Sequence, residues 1–79
     1  AVNNLGVAYA LTAQGFKGPR GNHDPFFNLQ AERMFIRALF LAPADWMARK
    51  NLEIVRERPH GVGEAATPRG KYELAMVGS

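Results

Sequence analysis

Ala1-Val2-Asn3-Asn4-Leu5-Gly6-Val7-Ala8-Tyr9 is the stretch from which the rest of this chain can be read. Val2, Leu5, Ala8, Tyr9 and, one turn on, Thr12 recur at three-and-four spacing. That is the period of a helix, whereas a strand would need strict alternation. A helix is expected over about residues 1–14. The stretch also has an echo further along. Ala48-Arg49-Lys50-Asn51-Leu52-Glu53-Ile54 matches Ala1 to Val7 at the Ala, the second Asn, the Leu and the final aliphatic, at an offset of 47 residues (48 − 1). Self-similarity at such a distance marks repeated helical units.

Working outward, Gly15, Gly18, Pro19 and Gly21 punctuate a loop over 15–24. Asp24-Pro25 is a helix start, because the Asp can accept from free first-turn N–H groups and the Pro has the right φ with no N–H to satisfy. The second helix is expected over about 25–42, with Phe27, Ala31, Met34, Phe35, Ala38 and Leu39 on its buried stripe. It should stop before Pro43, which disfavours helical geometry in the residue preceding it. Asp45 is a candidate cap for a third helix over about 45–58, with Met47 or Ala48, Leu52 and Val55 as its apolar line. Pro59, Gly61 and Gly63 would end it. Residues 59–79 read as a tail. Its denser patch, Lys71 to Val77, is open to three readings: a docked strand, a turn of helix or a disordered end.

These residues carry a family resemblance. The chain resembles the tetratricopeptide repeat family: Val2, Leu5, Gly6 and Tyr9 fit the pattern of its first helix, and Ala31, Phe35, Ala38 and Pro43 fit its second at the family's mutual spacing. The resemblance implies an all-α fold, an antiparallel helical hairpin with a third, capping helix and an extended C-terminal tail. Gly6, Ala31 and Ala38 would let the backbones approach, while Tyr9 and Phe35 fill the space between them. Two departures stand out. Val2 replaces a frequent Trp, and 47 − 34 leaves an insertion of about 13 residues between the hairpin helices, at the Gly/Pro loop. Glu53 and Arg56 stand where the family prefers Gly and Tyr, which suits a terminal helix with a polar outer face.

Composition narrows the functional classes. The 79 residues make at most one small domain, and the absence of Cys excludes disulfides, Cys-ligated zinc and thiol catalysis. The longest apolar run, Ala38 to Ala44, is far below the roughly 20 residues of a membrane span and contains Pro43. The chain is not expected to span a membrane, which leaves open a place on a membrane-associated assembly. Starting at Ala1 without an initiator Met, it is expected to be processed or a piece of something longer. Net charge is +3, a mild bias toward acidic partners.

For the site, the resemblance implies a groove lined by the first helix of each hairpin. Asn4 and Asn51 would grip the backbone of a bound peptide there, since an amide both donates and accepts, with Asn3, Lys50 and Arg58 around them. A second expected surface comes from excess apolar residues. Ile36 and Phe40 lie off the hairpin stripe, and Phe16, Phe26, Trp46 and, in the tail, Tyr72 add aromatic surface for a partner. The competing reading has the insertion or the tail, through Leu74 and Met76, covering Ile36 and Phe40. His23-Asp24 with His60 matches no metal-ligand spacing, and Gly15 to Gly21 lacks the Gly-Lys-Ser/Thr ending of a phosphate loop. The expectation is therefore a protein-binding scaffold element, through a protein partner or self-association. It is not expected to be an enzyme, and no metal, cofactor or small-molecule substrate is anticipated. The alternative is a basic adaptor for nucleic acid or an anionic surface, through Arg33, Arg37, Arg49, Lys50, Arg56 and Arg58. Nucleic acid is the less favoured ligand, because Glu32, Glu53 and Glu57 interleave with those cations.

Overall fold

The computed structural model describes residues 2–16, 22–56 and 71–78. It contains α1 (Val2–Gly15), α2 (Pro25–Leu41) and α3 (Trp46–Arg56), with no strand element among the described residues. The fold is all-helical: α1 and α2 pack as a hairpin and α3 packs on α2. The expected helices of about 1–14, 25–42 and 45–58 agree with these within two residues at each end. Arg58, His60 and the first part of the tail lie outside the described residues.

The helix ends form where the sequence places them. Asp24 Oδ1 accepts from the backbone N–H groups of Phe26 at 2.9 Å and Phe27 at 3.1 Å, with Pro25 as the first helical residue. Asp45 does the same for Met47 and Ala48 at 3.1 and 3.2 Å. Each cap is worth on the order of 1 kcal/mol against Ala. Residues 22–24 return onto the end of α1, where the Asp24 N–H donates to the Ala13 carbonyl at 2.9 Å.

The hairpin closes on Phe35, which is fully buried beside Ala31 and Ala38. A Cβ placed on Gly6 would come within 2.5 Å of Phe35 Cε1 and 2.7 Å of Cδ1, so the ring lies directly on the α1 backbone. Here the absence of a side chain sets the distance between the helices. The buried stripe of α1 corrects the sequence-based expectation. It is Asn3, Gly6, Val7, Ala10 and Ala13, whereas Leu5 and Ala8 face outward and Val2, Tyr9 and Thr12 are half-buried. Ranking by hydrophobicity selects the larger side chains, but close packing against Phe35 selects the smaller ones. In α3, likewise, the buried line is Ala48, Asn51 and Val55, with Leu52 half-buried at its edge.

The tail is part of the core. Tyr72 is buried with Val7, Ala10, Ala31, Phe35 and Val55, and Leu74 and Met76 pack against the same cluster. No helix of the described residues is long and apolar enough to cross a membrane.

Candidate polypeptide-binding groove

Asn51 is fully buried and Asn3 nearly so, an unusual place for an amide unless its hydrogen bonds are met. They are met by the backbone of the tail. Asn51 Nδ2 donates to the Ala75 carbonyl at 2.7 Å, and the Ala75 N–H donates back to Asn51 Oδ1 at 2.8 Å. Asn4 repeats the arrangement on Val77: its Nδ2 donates to the Val77 carbonyl at 3.2 Å and its Oδ1 accepts from the Val77 N–H at 3.0 Å. Asn3 joins the two helices, donating to the Ala75 carbonyl and accepting from Asn51, both at 3.0 Å. Each clamping amide thus stands in for a neighbouring strand, offering one donor and one acceptor to a single residue's main chain.

The gripped residues are two apart, so in an extended chain they present the same edge. At the other end, the Tyr72 N–H donates to Gln14 Oε1 at 2.6 Å. The tail therefore runs antiparallel to α1, from Gln14 back to Asn4. Ten helical residues rise about 15 Å, and five extended residues cover about 16–17 Å, so the two lengths match only if the tail is extended.

Tyr72 fills a socket beneath this run. Its hydroxyl donates to Asn28 Oδ1, Asn28 Nδ2 donates to the Val55 carbonyl at 3.1 Å, and the His23 ring stands edge-on to the phenol at 4.3 Å between centroids. Burial pushes the phenol above its ordinary value near 10 by desolvating the phenolate. Below about pH 10 both folded and unfolded chains keep the proton, so stability is constant. Above it the unfolded chain releases the proton while the folded chain retains it, and stability falls as pH rises. Melting temperature should therefore decline above about pH 10, and Tyr72→Phe should remove that part of the decline. Thermal melts across the alkaline range check this.

The expected site residues divide clearly. Asn3, Asn4 and Asn51 are brought together on one occupied groove. Lys50 is exposed and lines a separate hollow of about 390 Å³ with Trp46, Arg49 and Glu53. Tyr72, expected on a partner surface, is instead buried in the chain's own core, because its hydroxyl finds Asn28 there. Ile36 and Phe40 are exposed, Phe40 at 84%, and line a shallow hollow of about 510 Å³ with Met34 and Leu41, flanked by Arg33 and Arg37. Leu74 and Met76 pack on the core and do not line that hollow. Phe16 and Phe26 both contact Phe27, at 5.9 and 5.3 Å between centroids, while remaining largely exposed, as does Trp46. Of the cations, Arg56 is held by Glu32 at 2.9 Å.

The sequence reading missed Gln14 and Asn28. Asn28 carried a signal, since 28, 31, 35 and 38 form the buried stripe of α2 and a polar residue on such a stripe needs a partner. Comparisons with protein-family models, curated proteins and solved structures find no match.

Proposed function

We propose that this chain is a protein-interaction element of tetratricopeptide type, whose α1 and α3 face holds extended polypeptide by its main chain. The observation that carries the reading is the pair of two-way amide clamps, Asn51 on Ala75 and Asn4 on Val77. Such contacts grip backbone irrespective of side chain, the manner in which added strands are held at sheet edges. The exposed Ile36 and Phe40 surface on α2 supports a further role in docking on a larger assembly. The role is one of binding and scaffolding, without catalysis.

The reading is tested with a full-length chain carrying Tyr72→Ala, Ala75→Pro and Val77→Pro, whose resident tail lacks the buried ring and both N–H groups that Asn51 and Asn4 accept. A labelled peptide of residues 71–79 should bind it, and adding Asn51→Ala should weaken that binding at least tenfold, on the basis of about 1.4 kcal/mol per decade. Binding should change little between about 50 and 200 mM salt, where contacts with phosphates would lose orders of magnitude. Absence of peptide binding, or indifference to Asn51→Ala, would overturn the reading. Binding of a single-stranded oligonucleotide instead, with an affinity that falls steeply over the same salt range, would favour the basic-adaptor alternative.

A further inference from the structure

The clamps do not discriminate between side chains, but the socket at the other end of the groove does. Four elements converge on Tyr72: Gln14 from the end of α1, His23 from the inserted loop, Asn28 from the first turn of α2 and the Val55 carbonyl near the end of α3. Asn28 is the discriminating group. Its Nδ2 is committed to Val55, which turns Oδ1 toward the socket as a buried acceptor. An occupant must bring a donor to satisfy it, here the tyrosine hydroxyl, and a site built around a hydroxyl rejects the analogue lacking one. Three residues further along the tail, Asn3 and Asn51 both hold the carbonyl of a small residue, Ala75.

We propose that this socket sets the ligand specificity of the groove. The ligand class is an extended segment with an unmodified tyrosine at one position, whose main chain three and five positions later is gripped by Asn51 and Asn4, running antiparallel to α1. Residues 71–77 are the resident example, held in cis, and a partner's segment of the same pattern enters by replacing them. This rests on the groove reading above and adds to it a side-chain requirement. The insertion gains a purpose in this arrangement, because His23, which forms one wall of the socket, belongs to it. A resident segment tethered to its own groove competes at millimolar effective concentration, so partner binding is gated by release of the tail.

The test uses the full chain carrying Tyr72→Ala, Ala75→Pro and Val77→Pro, which empties the socket and removes the N–H groups by which the resident tail is clamped. Peptides of residues 71–79 are added in three forms: the natural sequence, the Tyr72→Phe analogue and the form phosphorylated on tyrosine. The natural peptide should raise the melting temperature in a dose-dependent way. The Phe analogue should bind at least about tenfold more weakly, because it leaves Asn28 Oδ1 buried without a donor. The phosphorylated form should have no effect, since the phenol hydroxyl is buried against Asn28 and no Lys or Arg among the described residues packs on that ring. If this variant does not fold alone, recovery of helical circular dichroism on refolding with each peptide gives the same ranking. Equal affinity for the natural and Phe peptides would overturn the socket while leaving the groove standing. Failure of both peptides to bind would overturn the two together.

Discussion

Replacing Asn51 by Leu should cost about 3 kcal/mol and detach the tail while the three helices remain. The estimate follows from what the substitution strands. Leu keeps the branched outline of Asn and is larger, so no cavity opens at this fully buried position, but the Ala75 N–H and Asn3 Oδ1 lose their partners. The Ala75 carbonyl keeps only Asn3. Each stranded buried polar group costs about 1–3 kcal/mol, and the chain can relieve the penalty by releasing residues 71–77 to water. Release would also withdraw Tyr72 from the core, so melting temperature should fall by on the order of 10–20 °C for a chain of this size. Helical circular dichroism at low temperature should be retained. Asn4→Ala provides the internal control. It breaks a geometrically similar pair of bonds at an exposed position, where water replaces them, and should cost no more than about 1 kcal/mol. Equal losses for the two substitutions would show that the clamp at Ala75 has no privileged place in the structure.

The second large effect is expected at Gly6. Any Cβ there meets the Phe35 ring at 2.5 Å, and that ring is fully buried among Val7, Ala10 and Ala31, with no room to withdraw. Overpacking of this kind typically costs about 1–3 kcal/mol, and the β-branched Val adds two further methyl groups at the same contact. Gly6→Val should therefore lose about 3 kcal/mol or more. Gly6→Ala should lose less, because Ala recovers close to 1 kcal/mol of helix propensity. The cause is separable from propensity by a double-mutant cycle. With Phe35→Leu in the background, the penalty of Gly6→Ala should shrink or change sign, because the opposing ring is gone. Unchanged penalties in the two backgrounds, measured by chemical denaturation, would place the role of Gly6 elsewhere.

Helix positions and caps were legible because they depend on local chemistry: Asp24-Pro25 and Asp45 each announce a helix start through their own hydrogen bonds. A close backbone approach at Gly6 with Phe35 filling the space between the helices is expected from the resemblance; that the ring lies directly on Gly6 is what the structure adds. The buried face of α1 was not legible, because Leu5 outweighs Gly6 on any hydrophobicity ranking, while the ring of Phe35 leaves no space for a side chain at position 6. For the clamping amides, the equivalence of Asn4 and Asn51 was visible as an internal repeat, but it is Asn3, expected only beside them, that meets Asn51 and shares Ala75 with it. What occupies the groove was not visible, since Asn4 and Val77 are separated by 73 positions and nothing in local pattern links them. Tyr72 illustrates the same limit. Its surroundings come from four separate elements, and a short apolar patch near the end of a chain does not reveal them.

Amide hydrogen exchange at Ala75 and Val77 in the unmodified chain tests the groove most directly. Both N–H groups are donated to asparagine side chains and take part in no helix or sheet, so protection can arise only from the clamps. Strong protection is expected at Ala75 and weaker protection at exposed Val77, with the Ala75 protection lost in Asn51→Leu. Exchange at Ala75 as fast as in a free peptide of residues 71–79 would contradict the clamped groove.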